Sequence, residues 1–223
     1  MGLEASLSRQ CWLFAAGSTL FAIASAPYFA VFAGSGTTNL LSFLGSWFFT
    51  TAAWIQLKLS RTELEWYSAA VQFAGTVLFN ISTGAALWSS GPGSAGPWNS
   101  ALRSSAPWTW VPWLQSAESR RHLIWTPDAV GSLAFLVSGA LAIIAVGTAA
   151  AARDCRIAWL NMAGCGAFAV SAVAGFIRRS GVTEDQWLAN LGTFVGALCF
   201  AVAALAALPR FRDQGDALRQ SAA

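Results

Sequence analysis

The stretch Gly45-Ser46-Trp47-Phe48-Phe49 holds the pattern that decides the fold: a glycine, a small residue directly after it and a phenylalanine four places after the glycine. Six apolar segments carry this pattern, about once for each length of chain that crosses a membrane and turns. The copies begin at Gly17-Ser18, Gly45-Ser46, Gly75-Thr76, Gly131-Ser132, Gly164-Cys165 and Gly192-Thr193. In the last copy Gly196 takes the place of phenylalanine. The repetition predicts six similar helices that pack through small residues.

The composition of the chain is typical of a membrane protein. It has 223 residues, of which 56% are hydrophobic and only 10% are charged, whereas a soluble domain has about 25% charged residues. Apolar stretches long enough to cross a bilayer as helices run over residues 11–34, 38–58, 66–88, 127–150, 156–178 and 185–208. Because a backbone inside lipid must satisfy its own hydrogen bonds, we predict an all-α polytopic membrane protein with six transmembrane helices.

A long polar segment divides the six stretches into two groups. We predict the following parts: a first three-helix half over 1–90, an external loop over 91–124, a second three-helix half over 125–209 and a cytoplasmic tail over 210–223. The glycines of the second half follow those of the first at a nearly constant offset, which indicates a duplication. Since three crossings place the second half upside down, we predict a 3+3 inverted repeat. The alternative is convergence on residues that are common in such helices.

The distribution of lysine and arginine predicts the orientation of the chain. One side holds Arg9, Lys58, Arg61, Arg153, Arg156, Arg210, Arg212 and Arg219, and the other holds Arg103, Arg120, Arg121, Arg178 and Arg179. Positive residues are more frequent on the cytoplasmic side of membrane proteins, so we predict that both termini are cytoplasmic. The net charge of +3 comes from this anchoring and gives no indication of nucleic acid as a partner.

The segment between the halves is rich in proline, glycine and tryptophan. Its indole side chains belong to Trp98, Trp108, Trp110, Trp113 and Trp125. Indole rings favour the headgroup level of a bilayer, so we expect the loop to lie on the membrane surface or over the mouth of the bundle. A platform on which a ligand stacks is the alternative.

Few polar side chains lie inside the predicted crossings, and none near their middle is ionisable. Asn80, Asn161 and Asn190 are the best candidates for an intramembrane polar cluster. We expect them to face inward, where they either bond between helices or line a path for a solute. The lack of central charged residues argues against proton relays and voltage sensors.

The chain lacks the motifs of catalytic and metal sites. Its one histidine, His122, lies in a loop, and no metalloprotease, nucleophile-elbow or phosphate-binding motif accompanies it. The four cysteines show no CxxC spacing. We therefore predict that the protein is not an enzyme and has no catalytic residue, no metal and no cofactor.

The residues before the fourth crossing combine positive charge with signals for the start of a helix. Thr126 is a candidate N-cap, Pro127 suits the first turn, and Asp128 complements the positive helix end. Arg120 or Arg121 is expected to pair with Asp128. A contact of Arg120 and Arg121 with lipid phosphates is a second hypothesis.

One resemblance to a known family rests on two stretches. Phe43-Leu44-Gly45-Ser46-Trp47-Phe48-Phe49-Thr50-Thr51-Ala52-Ala53, together with Trp12-Leu13-Phe14-Ala15-Ala16-Gly17-Ser18, resembles the YrhK-like family of small bacterial membrane proteins. Trp125-Thr126-Pro127-Asp128-Ala129-Val130-Gly131-Ser132 and Asn190-Leu191-Gly192-Thr193 resemble phrases of longer bacterial relatives. The resemblance implies a bacterial membrane protein, no established activity and no catalytic residue.

Two functions remain open on the sequence alone. Packing glycines around an uncharged core predict a structural or accessory subunit of the bacterial inner membrane, which assembles with itself or with other membrane subunits in the lipid bilayer. The alternative is a transporter or channel for a neutral or apolar small molecule, which the internal symmetry favours. A membrane-embedded enzyme is a distant third.

Overall fold

The computed structural model describes residues 3–90, 112–147 and 152–208, and within these ranges the chain is helical without strands. Its long helices are α1 (Leu3–Ser25), α2 (Phe29–Leu59), α3 (Glu63–Ser89), α4 (Ala117–Val146), α5 (Ala152–Ala174) and α6 (Gln186–Ala206). Five of these, α2 to α6, are long and apolar enough to cross a membrane. Most of the predicted loop 91–124 and the tail 210–223 lie outside the described residues.

The first predicted crossing, 11–34, is wrong at its C-terminal end. α1 stops at Ser25, and α2 begins at Phe29, after Tyr28 adopts left-handed dihedral angles with a φ of 64°. The backbone of α2 then bends at Gly34, whose φ of 81° is accessible to glycine at little cost. Residues 29–34 are apolar, so hydropathy extended the predicted crossing through this turn, although Pro27 was a signal for a break.

Polar residues between the apolar stretches mark where helices begin. At the start of α3 the Thr62 hydroxyl accepts from the Glu65 backbone N–H, and the Glu65 carboxylate accepts from the Thr62 N–H, both at 3.2 Å. At the start of α6 the Asp185 carboxylate accepts from the Leu188 N–H at 2.9 Å. These side chains satisfy N–H groups that have no partner inside the helix.

Each long helix packs against its neighbours along the chain, and α6 packs against α1, so the described helices form a closed ring in chain order. This order does not fit the predicted inverted halves. A twofold axis in the membrane plane turns a half upside down and also reverses the sense in which its helices follow one another. Here α4 to α6 continue around the ring in the same sense as α1 to α3.

The Gly-x-x-x-Phe pattern forms every second helix contact around the ring, in the pairs α1–α2, α3–α4 and α5–α6. In the α3–α4 pair a Cβ atom on Gly75 would lie 2.9 Å from the ring of Phe135 and 3.1 Å from the carbonyl oxygen of Gly131. A Cβ atom on Gly131 would lie 3.1 Å from the Gly75 oxygen and 3.2 Å from the ring of Phe79. Each phenylalanine therefore covers the glycine of the opposite helix. The same arrangement joins Gly17 and Phe21 to Gly45 and Phe49, and Gly164 and Phe168 to Gly196 and Phe200.

The structure shifts the sixth copy of the pattern by one helical turn. Gly196 rather than Gly192 faces Gly164, and a Cβ atom on Gly164 would lie 3.0 Å from the ring of Phe200. Gly192 lies in the same interface, where a Cβ atom would come within 2.8 Å of the α5 backbone. The sequence favoured Gly192 because a threonine follows it, whereas Ala197 follows Gly196.

The six phenylalanines of the pattern are buried together, each with at most 6% of its surface exposed. Because neighbouring helices run in opposite directions, the rings fall into two layers of three: Phe21, Phe79 and Phe168 in the first, and Phe49, Phe135 and Phe200 in the second. Ring centroids within the second layer are 5.8 to 6.4 Å apart. The two layers of aromatic side chains fill the axis of the six-helix ring.

Candidate functional site

A cavity of about 580 Å³ opens at the end of the bundle where α1, α3 and α5 begin, which we call the N-terminal end. All six long helices contribute to its wall. Phe49 and Phe200, from the phenylalanine layer nearer this end, line its floor. The cavity therefore lies on the axis of the ring and stops at the aromatic core.

The polar side chains of the cavity are mainly carboxamides. Its polar and charged lining consists of Gln10, Gln56, Glu65, Gln72, Arg153, Asp154 and Asn161. Alanine and other apolar residues from α4 and α6 form much of the remaining wall. A cavity with many hydrogen-bonding groups and few charges suits an uncharged polar molecule.

Two helices place the same kinds of residue at the same positions relative to the repeated glycine. Gln72 of α3 and Asn161 of α5 each lie three residues before it, close to the aromatic floor. Glu65 and Asp154 lie seven residues earlier, which is about 10 Å nearer the mouth at 1.5 Å per helical residue. Carboxylates therefore stand near the mouth of the cavity and carboxamides near its floor.

The two floor carboxamides use only part of their hydrogen-bonding capacity within the protein. Oε1 of Gln72 lies 3.4 Å from the Ser138 hydroxyl, which also donates to the Ser68 carbonyl oxygen at 2.9 Å, so its bond to Gln72 is the weaker of the two. Nδ2 of Asn161 makes a long contact of 4.0 Å with Sγ of Cys165. Within the described ranges, Nε2 of Gln72 and Oδ1 of Asn161 have no hydrogen-bond partner. One donor group and one acceptor are thus left for a molecule in the cavity.

Arg153 stands near the mouth and links two helices. One of its guanidinium nitrogens, Nη2, donates to the carbonyl oxygen of Ala206 at the end of α6. The other, Nη1, is buried and has no partner among the residues that the structure describes. The guanidinium holds the start of α5 against the end of α6.

The phenylalanine layers close the axis above the cavity. The space that they enclose, together with Ser46 and Thr76, has a volume of about 10 Å³. Such a volume is close to that of a single water-sized probe. In this conformation the described part of the bundle therefore has a cavity at one end and no open route through its core.

The opposite end of the bundle is tied together by residues at the start of α4. Arg120 donates to the carbonyl oxygen of Gly181 at 3.2 Å, and Arg121 donates to that of Ile177 at 2.9 Å. The contact of these arginines with lipid phosphates stays a prediction. Their expected ion pair with Asp128 is not formed among the described residues, and the ion pair at this end of the bundle joins Arg178 to Glu184.

Trp125 adds a further contact between α4 and α5 at the same end. It follows Arg121 in a π-helical turn, Arg121–Trp125, that precedes the α-helical part of α4, and its indole N–H donates to the carbonyl oxygen of Ala172 at 2.8 Å. Its ring packs edge-on against Phe176 with centroids 4.8 Å apart. The indole therefore holds the start of α4 against the end of α5. The placement of the Trp-rich loop on the membrane surface or over the mouth of the bundle stays a prediction.

The three asparagines of the predicted polar cluster lie in three different places. Asn80 donates to the hydroxyl of Thr50 at 2.9 Å between α2 and α3, and its own oxygen is buried without a described partner. Asn190 accepts from Gln186 at 3.0 Å near the start of α6. Asn161 alone lines the axial cavity. The cluster is therefore wrong, because residues at unrelated distances from the repeated glycine lie at different depths.

Sequence reasoning missed most of the cavity. Gln10 and Gln56 lie near helix ends, where polar residues are expected at a membrane surface whether or not they line a cavity. A signal for the shared position of these two residues did exist in the sequence. Gln10 lies seven residues before Gly17 in α1, and Gln56 lies seven residues after Phe49 in α2. It becomes informative only when the pairing of the helices is known.

The side chains that line the cavity can donate and accept hydrogen bonds. In the described ranges no three His, Cys, Asp or Glu side chains lie close enough together to hold a metal ion. What the arrangement can do chemically is bind a small molecule beside the aromatic core. No protein-family model, curated protein or solved structure matches the chain. The resemblance to the YrhK-like family stays a prediction, and the function is argued from the site.

Proposed function

We propose that this chain is a membrane transporter or channel for a small uncharged solute. The observation that supports the proposal is the axial cavity, to which all six long helices contribute and which ends at the aromatic core. Its volume of about 580 Å³ lies in the range of small-molecule sites. A protein that only packs against others has no need of a polar cavity on its own axis.

The proposal includes six membrane crossings arranged as three two-helix units. The units are α1–α2, α3–α4 and α5–α6, each closed by one reciprocal Gly-x-x-x-Phe contact. A threefold rotation about the axis of the ring keeps both the direction of the helices and their order, so it replaces the inverted halves as the internal symmetry. If both termini face the cytoplasm of a bacterial cell, the cavity opens to the cytoplasm.

The two phenylalanine layers serve as the gate in this proposal. Their rings fill the axis in the present conformation. Movement of one two-helix unit relative to the others would separate rings that now touch across unit boundaries, such as Phe49 and Phe135 with centroids 6.4 Å apart. The gate is apolar, which suits an uncharged solute better than an ion.

The second hypothesis, a structural or accessory subunit, draws less support from the packing glycines than the sequence suggested. That hypothesis depended on packing glycines, and all seven, Gly17, Gly45, Gly75, Gly131, Gly164, Gly192 and Gly196, lie against other helices of the same chain. Association with itself or with other subunits would therefore use other surfaces. It stays a prediction that does not explain the cavity.

Reconstitution of the full chain tests the proposal. We expect liposomes of phosphatidylethanolamine and phosphatidylglycerol that contain the protein to take up glycerol or acetamide faster than protein-free liposomes, as measured by stopped-flow light scattering. A second test uses the Asn161→Cys variant of a chain whose native cysteines are replaced by alanine. We expect this variant to react with a water-soluble thiol reagent from one side of the membrane. Uptake no faster than in protein-free liposomes, together with an unreactive cysteine, would overturn the proposal.

A further inference from the structure

We infer that the floor of the axial cavity is a binding site for a small primary carboxamide, and that Gln72 and Asn161 determine its specificity. This inference rests on the proposed function, for which it names the class of solute. Four observations carry it: the equivalent positions of the two side chains, their unused hydrogen-bonding atoms, the distance of the charged groups, and the apolar wall beside them.

The first observation is positional. In the three helices that run in the same direction, the residue three places before the repeated glycine is Phe14, Gln72 or Asn161. All three line the same cavity. Since the helices surround one axis, the three side chains approach the floor from three directions. Two directions supply a carboxamide and the third supplies an aromatic ring.

The second observation is the complementarity of the unused atoms. Nε2 of Gln72 has no partner among the described residues, and Oε1 lies 3.4 Å from the Ser138 hydroxyl. Oδ1 of Asn161 likewise has no described partner, since the contact of this side chain is made by Nδ2. A primary carboxamide carries an acceptor and a donor on neighbouring atoms. Its oxygen can accept from Gln72 while its nitrogen donates to Asn161, which fills both vacancies with one solute group.

The third observation concerns charge. The charged side chains of the cavity, Glu65, Asp154 and Arg153, stand near its mouth, the first two about 10 Å from the floor by helical rise. An ion at the floor would lose its hydration without a partner of opposite charge, which is strongly unfavourable in an apolar environment. The two carboxylates also outnumber the single guanidinium, which disfavours an approaching anion.

The fourth observation is the apolar side of the floor. Phe14 is packed edge-on against Phe49, with ring centroids 5.4 Å apart, and Ala203 of α6 lines the same space. These surfaces offer a place for the alkyl group of the solute, while the carboxamide faces Gln72 and Asn161. A solute with one polar end and one short alkyl end satisfies both sides.

Uptake of three probes of similar size by reconstituted full chain tests the inference. Propanamide has the donor and the acceptor, butan-2-one has only an acceptor, and propanoate is charged. Because butan-2-one crosses lipid unaided, uptake is compared after subtraction of protein-free liposomes. We expect protein-dependent uptake of propanamide to exceed that of the other two by about tenfold, the factor that corresponds to one net hydrogen bond.

Substitutions at the floor identify the residues. Gln72→Met and Asn161→Leu are expected to lower protein-dependent uptake of propanamide about tenfold each. Gln186→Met and Asn190→Leu make the same chemical changes outside the cavity. They are expected to leave protein-dependent uptake of propanamide unchanged. Where a floor variant does not fold, Gln72→Glu, which keeps the side-chain shape but removes the Nε2 donor, or Asn161→Ala, which removes the Oδ1 acceptor, takes its place.

Binding is measured separately, through the increase in melting temperature that propanamide causes in detergent. Propanamide uptake that is equal in the floor variants and in the Asn190→Leu control would overturn the inference and leave the proposed function standing. A melting shift that the floor variants lose, without uptake by the native chain, would support the binding site and overturn transport. If the native chain shows no melting shift and no uptake, both the inference and the proposed function are overturned.

Discussion

The aromatic core and the axial cavity adjoin each other on the same axis but differ in how the three helix pairs contribute. In the core every pair supplies the same set, two glycines and two phenylalanines in reciprocal contact. At the floor of the cavity the three equivalent positions hold Phe14, Gln72 and Asn161. Identical residues build a symmetric frame, whereas different residues at equivalent positions build a site with distinct sides.

This difference separates the residues that stabilise the fold from those that select a ligand. Lipid provides no hydrophobic drive for helices to associate, so the frame depends on close packing, and a repeated contact is an efficient way to obtain it. A ligand has no threefold symmetry, so a site on the axis must break the repeat. We therefore expect substitutions in the core to lower stability and substitutions at the floor to change selectivity.

The largest effect is expected for Phe135→Ala. Phe135 is 3% exposed and contacts rings from both layers, so its removal leaves a void at the centre of the bundle. We expect the free energy of unfolding to fall by about 3 to 5 kcal/mol, measured by steric trapping or by thermal melting in dodecyl maltoside. The control is Phe48→Ala, since Phe48 is 37% exposed and does not belong to the buried aromatic cluster. Equal losses in the two variants would contradict a core built on the axis.

The next effect is expected for Gly196→Ala. The new Cβ would lie 2.5 Å from the ring of Phe168 and 3.0 Å from the Gly164 carbonyl oxygen, so α5 and α6 must separate. Overpacking of this kind lowers stability by about 1 to 3 kcal/mol. Gly166→Ala is the matched control, because no atom lies within 4 Å of its added Cβ. A melting temperature that falls equally in both would place the sixth copy of the pattern elsewhere.

The sequence predicted the frame far better than the site. Glycine and phenylalanine at fixed spacing report a close contact directly, which is why the all-helical class and helix packing through small residues followed from the repeat. The turn at Tyr28 was marked only by Pro27, and the apolar residues 29–34 extended the predicted crossing past it. The partner of each helix did not follow, because similar glycines can pair in several ways. Gln72 and Asn161 became a pair only through the ring order, which is a tertiary property.

A smaller effect is expected for Ser138→Ala, at the border between core and cavity. The hydroxyl of Ser68 donates to the carbonyl oxygen of Ser138, and that of Ser138 to the oxygen of Ser68, both at 2.9 Å. Such bonds between membrane helices contribute about 0.6 kcal/mol, so we expect a loss of that size by steric trapping. Thr51→Ala is the control, since Thr51 bonds only to the backbone of its own helix. A loss above about 2 kcal/mol would mean that polar contacts, rather than repeated packing, carry the frame.

The smallest effect is expected for Glu184→Gln, in the loop between α5 and α6, far from both core and cavity. The hydrogen bond from Arg178 holds the pKa of the Glu184 carboxyl below its usual range. A carboxyl with a lowered folded pKa stabilises the protein above its unfolded pKa of about 4.3, and the contribution disappears as the pH falls through the folded pKa. Both side chains are about half exposed, at 57% and 45%, so the contribution is small.

We expect the native chain to melt slightly above the Glu184→Gln variant at about pH 7 and at the same temperature at about pH 3. Glu118→Gln, which removes no described ion pair, is expected to show no such difference between the two pH values. A gap that persists in acid would show that the glutamine strains the loop, and that the ion pair does not account for the effect.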